Sequence, residues 1–583
     1  MYGVVQLTNK YIIVEKTERK IFMKKKVLSL ILASIMAFSV CACGNTEKPV
    51  SKESESATNE TVSTPSTETV EVPEEYVPTY PISDETITIT GMVVGRKPNK
   101  KSEMTRILWE KIEEYTNIKV EWINLENNDA VATYLASSEW PDIIQYALPQ
   151  NLINDYGILG DRFVNFMDYL DIMPNLAKTF EDYPTTLAGM SQINGAVYST
   201  FAVDGGTATS VYARPHVRTD VLENAGITEL PKTVDEFYNQ LKILKEKNGV
   251  PSFILGKELN SDYAPMLFAA FGTQHIIGFD DDGTGKVTYT YTSNQMKHYY
   301  EFLNKLYDEE LMHREWLTMD NTTKNQLCCE DNKVAFIPRK QAQTMKAENL
   351  KDGNWDYLSR AVAPLTSEYD STQTLGGVLM AGDGNGKIFV NAESKYVEEI
   401  MKMLDIAFAT EEVVEGSGLY GMAFGYGVEG IGWDWNTDGT YTQYDGSDYG
   451  YDSYSAFQSE ELIFEGTGRN DAWGAQVTTA VGNARARQLA FTNDVIPYQI
   501  TEGIFPTNAL KFTEDEQMVI DQYMTEIKTY SEEMSAAFIT GAKDIEKDWD
   551  EYVATFEQMN LGKVLEVYQA AYDRWNEALN SLK

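Results

Sequence analysis

The sequence predicts an α/β fold built on a parallel sheet wrapped by helices. Strand-like and helix-like stretches alternate from Glu85 onward, which is the pattern of a parallel sheet with crossover helices. The chain has 583 residues and is 43% hydrophobic, enough for a large core and two or three domains.

The elements follow in order. Residues 86–95, TITITGMVVG, are β-branched and end in Gly, as a strand does. Residues 103–115 carry a helical pattern, and 119–123 read as a second strand. Residues 130–138 are helical again, and 141–146, PDIIQY, form a third strand. In open sheets of this kind ligands sit outside the carboxyl ends of the strands. Those ends are Gly95, Arg96 and Lys97 after the first strand, and Gln145 and Tyr146 after the third. Thr233 with Glu236 three residues on is a capping box, and Phe237, Leu241 and Leu244 share one face of the helix that follows. Residues 280–286, DDDGTGK, lack the later bidentate Glu of a calcium loop. A hairpin turn before 287–291 is the expectation there, because Asp and Gly suit turn dihedrals. From Thr513 onward four helical stretches are expected.

Residues 23–44, MKKKVLSLILASIMAFSVCACG, carry three lysines, a short apolar run and small residues before Cys43. That is the order of a bacterial secretory signal, and the apolar run is too short to span a bilayer. Its end resembles a lipobox, so Cys43 is the expected lipidated residue and Met23 the expected biological start. Ala42 before Cys43 suits this better than Val40 before Cys41. Residues 44–84 are Ser, Thr, Glu and Pro with almost no aliphatic clusters, and are expected to be a disordered tether.

The formal charge is −39, from 49 Lys+Arg against 88 Asp+Glu, a field that repels nucleic acid and anionic lipid. There are four Cys, two at the signal and the adjacent Cys328 and Cys329, so the body has no disulfide framework. Two buried thiols are expected, a vicinal disulfide being strained. Four scattered His and the absence of HExxH, CxxC, GxSxG or a phosphate loop leave metal catalysis and Ser-His-Asp hydrolysis unsupported. No metal, cofactor or enzymatic activity is expected. The 35 Tyr and 10 Trp suit a saccharide, whose C–H faces stack on aromatic planes.

Several stretches carry a resemblance. TNIKVEWINL followed by WPDII, Asn194-Gly195-Ala196-Val197-Tyr198, residues 217–246, Tyr426-Gly427-Val428-Glu429-Gly430, Phe538-Ile539-Thr540-Gly541, Asp548-Trp549-Asp550 and residues 570–574 stand in one order. This order resembles the extracellular solute-binding proteins of ABC importers, in the maltose-binding-protein-like family 1 and its long Gram-positive lipoprotein branch. The resemblance implies a two-lobed type-2 periplasmic-binding-protein fold with a hinge between the lobes. Lobe one is expected at 85–205 plus 366–440, and lobe two at 206–365 plus 441–583, with crossings near 200–212 and 361–365. It also implies ABC permease subunits as partners, a monomer, and the outer face of the membrane as location.

The candidate ligand residues are Arg96, Lys97, Gln145, Tyr146, Glu429, Trp433, Trp435, Asp471 and Trp473. Tyr146 stands where family members carry a stacking aromatic. Trp433 and Trp435 flank Asp434 in a Gly-rich loop, and Asp471 and Trp473 sit with Arg469 in another. Arg218 and Asp220 are expected to be a structural pair. An oligosaccharide is the expected ligand. A peptide or another small solute on the same fold, an exported glycoside hydrolase, and a sensor without transport remain as alternatives.

Overall fold

The computed structural model describes residues 76–96, 106–137, 139–204, 209–210, 215–256, 259, 264–272, 278–374, 378–379, 387–437, 441–444, 446–451, 454–457, 468–470, 482–498, 504–507 and 509–581. The alternation read from the sequence is present. Strand β1 (Ile87–Val94), helix α1 (Ile107–Thr116), strand β2 (Ile118–Leu125), helix α2 (Asp129–Leu135) and strand β3 (Ile143–Gln145) follow one another. β1 pairs in parallel with β2 along its whole length and with β3 at Gly91 and Met92. Gly91 is required by a close approach: a Cβ there would lie 2.6 Å from the Trp122 ring, which crosses the strand at this point. Helix α1 ends on Asn117 in the left-handed conformation (φ 58°), so that β2 can start at once.

The chain then passes through β4 (Ala202–Asp204) and β5 (Thr209–Ser210) to β6 (His216–Val217). Next come α3 (Val234–Asn248), the hairpin β7 (Phe279–Asp281) and β8 (Val287–Tyr289), and α4 (Asn294–Asp308). After these stand β9 (Phe336–Ile337), α5 (Arg339–Thr344), β10 (Arg360–Ala361), β11 (Val378–Leu379) and β12 (Ile388–Val390). Helices α6 (Val397–Asp405) and α7 (Gly421–Tyr426) lead to the hairpin β13 (Trp433–Trp435) and β14 (Tyr441–Gln443), then β15 (Gly468–Asn470) and α8 (Gly482–Asp494). Three long helices close the chain: α9 (Glu514–Thr540), α10 (Ile545–Gln558) and α11 (Leu561–Ser581).

Two large cores divide these elements. One is built from Ile89, Val93, Leu108, Ile112, Ile118 and Ile143 together with Ile388, Val390, Ile400 and Phe424. The other joins Phe237, Leu241, Leu244, Tyr299, Tyr300 and Leu303 to Phe538, Ile539, Tyr552 and Phe556. The first core lies on a sheet of order β12-β3-β1-β2, and the second beside a sheet of order β10-β6-β9. The fold is thus α/β and two-lobed. The chain passes between the cores after β4, after Leu365 and after β15. All three passages are tied together by two strand pairings: β4 runs parallel to β15, and β5 antiparallel to β11. Tyr441 packs with Trp433 and Tyr420, and Tyr451 and Phe457 pack on Ile107, all on the first lobe.

Thr233 caps α3 by accepting the Glu236 N–H at 3.1 Å, and Phe237, Leu241 and Leu244 are fully buried. Three helices, not four, follow Thr513. A reciprocal Thr513–Glu516 cap starts α9, and nothing stops it until Gly541 at φ 72°. Residues 280–286 form the β7–β8 hairpin. Asp281 Oδ1 accepts the Gly283 and Gly285 N–H groups at 2.5 and 3.1 Å, and Asp282 Oδ1 accepts that of Thr284 at 2.9 Å. Both carboxylates therefore build the turn. Among the described residues no cluster of metal-ligating side chains occurs. Cys328 and Cys329 are buried thiols in a π-helical turn, with no disulfide between them.

Arg218 is 1% exposed and holds Asp220 with two hydrogen bonds of 2.9 and 2.7 Å. It also donates to Asn332 Oδ1 at 2.9 Å and to the Asn349 carbonyl at 2.7 Å. This is a structural pair that ties three loops of the second lobe together.

Candidate functional site

The sheet topology shows which edge of the first lobe faces the crevice. β12 starts shortly after the crossing strand β11, and its first residue, Ile388, stands opposite Gln145 at the end of β3. The Tyr146 N–H bonds the Lys387 carbonyl at 2.9 Å. The carboxyl ends of β1 and β3 therefore lie on the edge next to the crossings, where open sheets bind ligands.

On that edge Arg96 and Gln145 are brought together: the Arg96 guanidinium donates to Gln145 Oε1 at 3.2 Å. The same guanidinium lies 5.0 Å over the Trp122 ring. Asn124 closes the β1 end from the side, accepting the Arg96 N–H at 3.0 Å and donating to its carbonyl at 2.9 Å. Burial, and then the charge of Arg106, push the Arg96 guanidinium down to about 9. Arg106 itself is 5% exposed. Tyr146 is half-buried beside these groups. Lys97 lies outside the described residues.

A second group forms on the same lobe at the β13–β14 hairpin. Trp433 and Trp435 stand two residues apart, on one side of the strand, and their rings meet edge to face at 5.4 Å, but they differ in burial. Trp433 is fully buried, its Nε1 bonded to the Gly427 carbonyl at 2.7 Å and its ring enclosed by Tyr420, Tyr426 and Tyr441. It is a core residue of the hairpin, and the expectation of a ligand platform at Trp433 is corrected: no face of the ring is open. Trp435 is 42% exposed and donates through Nε1 to the Tyr420 hydroxyl at 3.3 Å. That hydroxyl donates in turn to Glu429 Oε2 at 2.9 Å. The chain Trp435–Tyr420–Glu429 lines a cavity of about 330 Å³ together with Glu412, Met422 and Arg469.

Burial raises the Glu429 carboxyl above the usual carboxylate range, against the lowering effect of the Tyr420 hydrogen bond. Glu412 is occupied by the Gly416 and Gly418 N–H groups at 2.8 and 2.9 Å, so it shapes the loop. Arg469 stands on the crossing strand β15, pairs with Asp182 at 2.7 Å, and lies 5.2 Å over the Tyr183 ring. This places the cavity beside the crossing. Asp471 and Trp473 lie outside the described residues.

The arrangement brings together one exposed aromatic face, a half-buried carboxyl and a phenol. These are the parts that hold a hydroxylated, partly apolar ring in place. Trp122, Asn124 and Tyr420 were not among the candidates. Trp122 and Asn124 belong to the quoted TNIKVEWINL stretch, but only the pairing register places them at the β1 end. Nothing in the sequence marks Tyr420, which reaches Glu429 across a turn.

Residues 98–314 match the family model described as bacterial extracellular solute-binding protein. This match agrees with the resemblance read from the sequence. A relative is lipoprotein LipO of Bacillus subtilis (strain 168), 29% identical over 266 residues, which are 42% of this chain. The match spans about half (48%) of that relative's own length. Among solved structures the fold is similar to an HMO-binding, ABC-transporter-associated solute-binding protein from Bifidobacterium longum infantis. Its TM-score is 0.66 at 16% identity, covering 85% of this chain and 99% of that one. It is also similar to the substrate-binding protein FusA of S. pneumoniae in complex with kestose. There the TM-score is 0.60 at 19% identity, covering 84% of this chain and 100% of that one.

Proposed function

We propose that this chain is a lipid-anchored receptor that takes up an oligosaccharide between its lobes and presents it to an ABC permease without transforming it. One observation carries the saccharide part. An exposed indole, Trp435, is held by a hydrogen-bonded chain to a half-buried Glu429, in a cavity beside a crossing strand. A sugar ring needs an apolar face and fixed polar partners side by side, and this site supplies both. Arg96, Gln145 and Tyr146 on the same lobe supply a second polar and aromatic group at the strand ends. The proteins of similar fold are named for oligosaccharide ligands, which supports the same class here. A hydrolase would need two free carboxyls flanking the cleft, and Glu412, the acid next to Glu429, is committed to backbone N–H groups.

A thermal-shift screen of the purified protein against neutral and acidic oligosaccharides and short peptides tests this. Saturable stabilisation by a glycan, with the glycan recovered intact, is the expected result. Stabilisation by peptides alone would discard the sugar, and cleaved glycan would make the chain an enzyme.

The anchor rests on the basic, apolar, small-residue order that ends at Cys43. In cells, Cys43→Ala is expected to release the protein into the medium or leave it unprocessed, read by fractionation after metabolic lipid labelling. A mutant that stays lipid-labelled would move the anchor elsewhere.

A further inference from the structure

Helix α11 belongs to the second lobe but reaches the first. Its Leu561, Val564 and Ala571 are part of the second core. Side-chain bonds hold it there. Gln569 donates to the Gly285 carbonyl at 2.9 Å, and the Tyr572 hydroxyl donates to Asp281 Oδ2 at 2.8 Å, both on the β7–β8 hairpin. Arg574 donates to Glu516 Oε1 at 2.8 Å, at the start of α9. The same helix packs on the helix Pro184–Met190 of the first lobe, whose Met190 is part of the first core. The turn after that helix is fixed to its own lobe. Gln192 is 7% exposed and accepts from Gln150 Nε2 at 2.7 Å, and the Gly195 N–H bonds the Gln192 carbonyl at 2.7 Å.

Between these two anchored faces lies a cavity of about 340 Å³, lined by Leu187 and Ile193 of the first lobe and by Ala571, Trp575 and Ala578 of α11. It shares no lining residue with the cavity beside Trp435. Ile193 is 42% exposed and belongs to neither core. The Trp575 Nε1–H is buried and has no acceptor among the described residues. Protein interiors and fixed interfaces pack to the density of organic crystals, and this contact does not. Each face is rigid within its own lobe, so a rotation of the lobes about the crossing strands must change the width of the gap.

We propose that α11 is a strut between the lobes. Its C-terminal half, set against the helix Pro184–Met190 and the turn that follows, fixes how far the empty protein opens. It thereby tunes ligand affinity from a place the ligand does not touch. The affinity part rests on the reading that the ligand is taken up between the lobes; the opening part does not. The link between the two is a population shift. Apparent affinity scales with the fraction of molecules in the binding-competent arrangement, so a contact that moves this fraction changes affinity by the same factor.

The test changes the width of the gap from both sides. Ile193→Trp wedges it from the first lobe, Ala578→Trp wedges it from the second, and Ile193→Ala trims it. Small-angle X-ray scattering of each ligand-free variant reads the opening, and the melting temperature shows that each is folded. Titration calorimetry with kestose, lacto-N-tetraose and any glycan positive in the screen reads the affinity. Both tryptophan variants are expected to shift the ligand-free radius of gyration in one direction, and to change affinity in one sense by about threefold or more. Ile193→Ala should act in the opposite sense. A ligand-free radius that stays at the wild-type value in both tryptophan variants, or that they shift in opposite directions, would overturn the strut. So would an Ile193→Ala variant that acts in the same sense as Ile193→Trp. A radius that moves while affinity stays fixed would keep the strut and contradict binding between the lobes. If no glycan binds, the saccharide reading falls and the ligand-free radius still decides for or against the strut.

Discussion

Arg218 follows β6 in the second lobe and Arg96 follows β1 in the first, and their surroundings differ in kind. Arg218 spends its donors on Asp220, Asn332 and a loop carbonyl, all within one lobe. Arg96 bonds the neutral Gln145 and lies over Trp122 on the edge next to the crossings, with Arg106 close by. A buried guanidinium matched by a carboxylate holds loops together. One that bonds an amide and lies over an indole stands at the strand ends, where open sheets bind ligands. The same contrast separates Trp433, closed in by three tyrosines, from Trp435, two residues on and open to the cavity.

The largest effects should come from the structural half of the contrast. Asp220→Ala would leave Arg218 as an uncompensated buried charge and is expected to cost about 3–5 kcal/mol of stability, read by chemical denaturation. A loss below about 1 kcal/mol would mean the pair is not what ties these loops. Trp433→Ala should cost a similar amount, about 3–5 kcal/mol, by opening a cavity in the hairpin. Its glycan affinity, measured on the protein that remains folded, tells whether Trp433 acts only through packing.

Asp405 sharpens the contrast from the acid side, since among the described residues no cation pairs with it. It is 1% exposed and accepts the Asn175 and Leu176 N–H groups at 3.2 and 2.9 Å, and the Asn175 amide at 2.8 Å. Burial pushes its carboxyl up to about 6, against those hydrogen bonds. Its folded value lies above the unfolded value of about 3.9. Its favourable contribution is therefore full below about pH 4 and lost as pH rises through about 6. Between pH 7 and pH 4 the stability of the protein relative to Asp405→Asn should rise by about 2 kcal/mol, most of the linkage that a shift of two pKa units carries. A difference that stays flat across that window would show that Asp405 is ionised in the folded state.

Smaller effects belong to the functional half. Trp435→Ala and Tyr146→Ala should each lower glycan affinity by about 5- to 150-fold, or about 1–3 kcal/mol, at nearly unchanged melting temperature. A variant that loses stability instead of affinity moves that ring to the core. Gln145→Ala is the mildest, costing about 1 kcal/mol of stability or less, because it removes a single part-buried hydrogen bond. Its interest lies in whether affinity falls further than stability does.

The β-α-β-α-β start of the first lobe was legible because its signals are local: β-branched runs, Gly at a strand end, periodic apolar faces. The N-cap at Thr233 and the pair Arg218–Asp220 were legible for the same reason, although the Glu236 carboxylate accepts the Lys232 N–H and does not close the box on Thr233. What could not be read depends on register and on distant contacts. Trp433 and Trp435 look alike in sequence and share one side of β13, and only the packing of Tyr420, Tyr426 and Tyr441 around Trp433 puts it in the core. Tyr420 joins the site across a turn, and Trp122 joins Arg96 only through the pairing of β1 with β2. The count of closing helices was missed because no Gly or Pro interrupts residues 514–540, so the periodic stretches merge into one helix.

The central claim is that two lobes take a saccharide between them and bind it unchanged. Small-angle X-ray scattering of the purified body, with and without a glycan found in the screen, tests it most directly. The account predicts a smaller radius of gyration at saturating glycan, a return to the open value on dialysis, and intact glycan in the dialysate. A saturated protein whose radius does not change would contradict binding between the lobes.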